Sequence, residues 1–83
     1  MKHTTRQDLS GWFDAGKLDD ATHMIVVCDT FSWEDYPVYV KKGEDVHAKA
    51  VECNRRGMQK IVEIYKLSMD KNRQLRETRA FNY

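Results

Sequence analysis

The side chains best suited to chemistry are three histidines, His3, His23 and His47, and two cysteines, Cys28 and Cys53. A metal would need them at ligand spacing, as in H-x-x-x-H or C-x-x-C, where two donors fall on one turn. No pair among the five has that spacing, so neither a metal nor a cofactor is expected. Nucleophilic catalysis by Cys28 would need a base beside the thiol, from His23 or His47. His23 lies five residues before Cys28 in one apolar run, which at period two puts it on the opposite face of a strand. Both cysteines therefore read first as small buried hydrophobes.

Carboxylates are the next candidates. Glu34 and Asp35 are neighbours, with Asp29 close by in the sequence. Acid–base catalysis needs such a group partly desolvated in a cleft. Acids in a turn more commonly stay solvated or accept backbone N–H groups. The chain has no Gly-rich phosphate loop and no G-x-S-x-G. No catalytic residue is assigned, and the chain is read as a binding protein rather than an enzyme.

Two binding surfaces remain. The stretch DTFSWEDY carries Phe31, Trp33 and Tyr36 within six residues, beside Asp29, Glu34 and Asp35. Aromatic side chains are enriched in protein interfaces, so these six residues form the first candidate surface. The competing reading has one or two of the rings folding back onto the core. The second surface is basic. Arg73, Arg76 and Arg79 recur every three residues after Lys71, with Arg55, Arg56 and Lys60 earlier. On a helix this spacing makes a ridge able to contact phosphates of a nucleic acid or nucleotide. Asp70 and Glu77 interrupt it.

These residues need elements to hold them. Thr4 with Gln7, or Thr5 with Asp8, has capping-box spacing, and Leu9, Trp12 and Phe13 form one apolar stripe. A first helix is expected there, stopped by Gly16. THMIVVC is the most apolar run and reads as a central strand, covered on both faces or paired on both edges. An eight-residue turn over 29–36 then leads to PVYV, a short edge strand opened by Pro37 and followed by Lys41 and Lys42. Glu44 and Asp45 open a second helix whose Val46, Ala50 and Cys53 face the sheet, and which ends at Gly57. MQKIVEIYKL is compatible with a helical stripe, but its β-branched content and length favour a third strand. Ser68 or Asp70 caps a last surface helix through DKNRQLRETRAF, with Leu75, Ala80 and Phe81 as its contact stripe.

The expected architecture is α+β, in the order α-β-β-α-β-α. Its three-stranded, mostly antiparallel sheet has strand order 2-1-3, with helices two and one packed on one face. At 83 residues the chain suits a single domain, residues 1–83, of modest stability. Hydrophobic residues make up 41% and charged residues 33%, the balance of a folded soluble chain. No apolar run approaches the length of a membrane span, and the start lacks the apolar core of a signal peptide. Two cysteines are few for a secreted domain of this size, so a cytoplasmic location is expected. Residues 1–40 hold three bases and seven acids, and residues 41–83 hold eleven bases and six acids. In a small domain the halves face each other, although an acidic and a basic face would favour self-association or polar partners.

The segment ATHMIVVCDTF…EDYPVYV, with GED, MQKIVEIYKL and QLRETRAFNY after it, resembles a group of short bacterial, plasmid and phage proteins of uncharacterised role. The resemblance implies a phage or mobile-element context. It carries no activity and no residue roles. The expected partner is another protein, with nucleic acid second, no membrane, and a second copy of the chain open through an uncovered strand edge.

Overall fold

The computed structural model describes residues 4–77 and 80–83. Helix α1 spans Arg6–Leu18, strand β1 Ala21–Asp29, strand β2 Glu34–Lys41, helix α2 Val46–Arg55, strand β3 Gln59–Lys66 and helix α3 Lys71–Arg76. The sheet order is β2-β1-β3, with β1 antiparallel to both neighbours. The least polar strand is central, and its Met24, Ile25, Val26, Val27 and Cys28 are all buried.

Both faces of β1 are apolar, and both are covered. Met24 and Val26 pack with Phe13, Tyr65 and Leu67, flanked by Leu9 and Trp12 of α1 and Leu75 of α3. Ile25 and Val27 pack with Val40, Ile64, and Ala50 and Cys53 of α2. The helix layer expected on one face is present, formed by α1 together with α3. The expectation that α2 shares it is corrected: α2 lies across the other face. The reason lies in β1, where the alternate positions Met24/Val26 and Ile25/Val27 each need burial. A β-bulge in β3 at Val62, opposite the step from Val26 to Val27, lets Ile61 and Ile64 share one face while Val62 joins the other.

Caps follow the sequence closely. Thr5 and Asp8 form the capping box of α1, with Asp8 N–H donating to Thr5 Oγ1 at 3.1 Å and Thr5 N–H donating to Asp8 Oδ2 at 3.0 Å. Asp45 caps α2, accepting from His47 N–H at 2.8 Å. Asp70, not Ser68, caps α3, accepting from Arg73 N–H at 2.9 Å.

Three local expectations are corrected. Gly16 does not end α1, which runs on to Leu18 with Asp19 as its C-cap. Gly16 is buried, and a Cβ there would lie 2.7 Å from Tyr39 Cε1 and 2.9 Å from Leu67 Cδ1, so close approach of helix to sheet requires the glycine. Secondly, β2 begins at Glu34, so the hairpin loop is Thr30 to Trp33 rather than eight residues, and Pro37 sits inside β2 opposite Val26. An edge strand accommodates proline because alternate N–H groups point away from the sheet. Thirdly, α3 stops at Arg76, and Phe81 instead forms a parallel bridge beside Ile64. Ile64 N–H donates to Ala80 O at 2.6 Å and Asn82 N–H to Ile64 O at 2.9 Å, so this segment covers part of the outer edge of β3.

Candidate functional site

At one end of the sheet the β1–β2 hairpin meets the turn that enters β3. Asp29 Oδ1 accepts from Phe31 N–H at 2.8 Å and Ser32 N–H at 3.4 Å, an Asx turn that fixes the loop. Trp33, at φ 59°, closes it with an N–H···O bond to Asp29 at 2.6 Å. Thr30 N–H donates to Met58 O at 2.8 Å, tying the hairpin to the second turn, where Met58 also has positive φ. Lys60 Nζ lies 5.7 Å from the centroid of the Trp33 ring, a cation–π distance.

The result is an ordered turn pair whose apolar side chains face outward. Phe31 is 79% exposed, Met58 60% and Trp33 52%. Glu34 is exposed beside them and Asp35 half-buried. Tyr36 departs from this group. It packs toward the α2 face and donates its hydroxyl to Gln59 Oε1 at 2.6 Å, while Gln59 Nε2 donates to Cys53 O at 2.8 Å. Of the three aromatics, two face solvent and one anchors the loop. Met58 was not a candidate from the sequence. Its signal was the Gly57–Met58 turn bordering a strand, which reads only as a break until the sheet brings it beside the hairpin.

The catalytic reading of Cys28 is poorly served by its surroundings. Cys28 stands between Asp35 and Lys60 in register, and His23 lies at the other end of the strand on the other face. Burial pushes the Cys28 thiol up, and the hydrogen bond it donates to the Asp35 carboxylate adds to the shift. Burial also pushes the Cys53 thiol up. A protonated, buried thiol is a weak nucleophile. Asp29 is occupied as a turn cap. Among the described residues, no three His, Cys, Asp or Glu side chains converge to hold a metal ion.

The basic residues are dispersed. Arg73 and Arg76 lie exposed on α3, and Arg79 falls outside the described residues. Arg76 Nε donates to Asn72 O at 3.3 Å, and Lys71 pairs with Asp14 of α1 at 3.1 Å. Arg56 pairs with Glu52 at 3.2 Å, and Lys60 stands at the hairpin end, away from α3. No helix among the described residues is long and apolar enough to cross a membrane.

No protein-family model matches the chain, and neither a curated protein nor a solved structure matches it significantly.

Proposed function

We propose that this protein is a small non-enzymatic binding module, of phage or mobile-element type, that recognises another protein through Phe31, Trp33 and Met58. The observation that carries the reading is their joint exposure on turns fixed by backbone hydrogen bonds. A folded chain gains nothing in stability from presenting three large apolar side chains to water. A preformed aromatic and thioether surface loses little conformational entropy on docking and resembles an interface core. Glu34, with Asp29 and Asp35 nearby, supplies an acidic rim that favours a partner with basic residues around an apolar pocket.

A phosphate-binding reading through Arg73 and Arg76 has less behind it. α3 is only six residues long, and its neighbouring base Lys71 is already paired.

The double variant F31A/W33A separates contact from core. Its melting temperature should stay within about 3 °C of the parent, since the rings contribute little burial and the Lys60 contact is worth only about 0.5–1 kcal/mol. Capture of partner from a bacterial lysate should fall at least about tenfold, the loss of roughly 1.4 kcal/mol or more expected for interface anchors. Unchanged capture of the same protein by the variant would refute the proposal.

A further inference from the structure

The opposite end of the sheet holds a cavity of about 750 Å³, lined by Lys17 and Asp20 after α1, by Thr22 and His23 of β1, by Lys42 after β2, and by Lys66 at the end of β3. Ala21, Leu67 and Ser68 complete the wall. Its size falls in the range of small-molecule sites, about 300–1,000 Å³. Its charge is its distinguishing feature. Three lysines from three separate segments converge on it, against the single carboxylate of Asp20. Among the described residues none of Lys17, Lys42 and Lys66 has a carboxylate within ion-pair distance, whereas Lys41, Lys49 and Lys71 each do. The neighbouring carboxylate, Asp19, is engaged by Lys41.

We propose that this cleft binds a small phosphate-bearing molecule, with Lys17, Lys42 and Lys66 neutralising the phosphate. With His23 neutral, three ammonium groups and one carboxylate leave two uncompensated positive charges. A phosphate monoester near neutral pH carries about −1.5 to −2, which matches that excess. Lysines act here as point-charge donors to phosphate oxygens. Ala21 and the lysine stems offer apolar surface to the rest of the molecule. The site favours a small ligand over a nucleic acid, because the lysines line one concavity instead of a stripe and no Phe, Tyr or Trp lines it for base stacking. His23 lies beside Lys66 in the sheet register, and its charged form is disfavoured first by burial and then by Lys66, against the backbone of Tyr83.

The test is an amide-detected NMR titration at constant ionic strength with glucose 6-phosphate, and with glucose as the uncharged control. The expected result is saturable shifts at Ala21, Thr22, His23, Lys66 and Ser68, with a dissociation constant of about 1 mM or tighter and no response to glucose. K42Q changes an exposed side chain, so it retains the fold. It and K66Q should each weaken binding by about three- to tenfold, whereas R73Q/R76Q should leave it unchanged. Non-saturating shifts, an equal response to glucose, or equal affinity in K42Q and K66Q would overturn the proposal. So would a short oligonucleotide that binds the same amides more tightly than the sugar phosphate.

Discussion

Gln74 shows how much a single side chain can hold. It is fully buried on a six-residue helix that would otherwise have little to fix it. Its Oε1 accepts from Lys66 N–H at 2.8 Å, and its Nε2 donates to Lys66 O at 2.9 Å. The amide thus satisfies the peptide edge of β3 as a further strand would. Asn82 Nδ2 also donates to Oε1 at 3.0 Å, so the same side chain ties in the C-terminal segment. Replacing Gln74 by Leu leaves Lys66 N–H without its acceptor, at about 1–3 kcal/mol, while Lys66 O keeps a bond from Met69 N–H at 3.0 Å. Q74L should therefore lower the stability read from urea unfolding by about 1–2 kcal/mol, despite its added apolar surface. A neutral or stabilising result would show that α3 is held by Leu75 and the Lys71–Asp14 pair instead. Nothing in the sequence marked this glutamine, because a polar residue among charges on a short helix reads as solvated.

At the scale of elements, what the sequence disclosed and what it hid have physical causes. Local signals were legible: the Thr5–Asp8 box, the Asp45 cap, the apolar β1 and the β-branched β3 depend on residues near one another in the chain. The Asp45 cap is directly testable. D45A removes acceptors for His47 and Ala48 N–H and should cost about 1 kcal/mol, seen as a lower urea midpoint with an unchanged slope. Long-range features stayed hidden. Gly16 looked like a helix stop, and only the approach of Tyr39 and Leu67 reveals its packing role. Pro37 looked like the start of a strand because a missing N–H is harmless there, but an edge strand tolerates it internally as well. The loop aromatics illustrate both limits. Their clustering was evident in the sequence, but which rings face solvent depended on Gln59, whose side chain draws Tyr36 inward. Met58 joined them only through the Thr30 hydrogen bond.

Across the whole molecule, the two ends of the sheet differ in chemistry, and the cationic end should give stability a pH dependence. His23 Nδ1 lies 2.9 Å from Thr22 Oγ1, His23 pairs in register with Lys66 of β3, and His47 of α2 stacks on Tyr83 at 4.3 Å. Burial, then Lys66 and more weakly His47, lower its pKa below the ordinary 6.5, while the backbone of Tyr83 works the other way. The folded chain therefore takes up this proton less readily than the unfolded chain. The resulting stability is fully present above about pH 6.5 and is lost as the pH falls through the lowered folded-state value. Glu44 acts in a separate and more acidic window. Its carboxyl is held below the usual range first by Lys41 N–H and then by Lys49, so its contribution is lost only as the pH falls below about 4.5. Between about pH 7 and about pH 5, in a buffer without phosphate, the melting temperature should decline, and H23Q should flatten that decline. A parent protein whose melting temperature is flat over this interval would mean that His23 takes up its proton as easily folded as unfolded. The burial of the ring, and after it Lys66, would then weigh less than its position in the sheet implies.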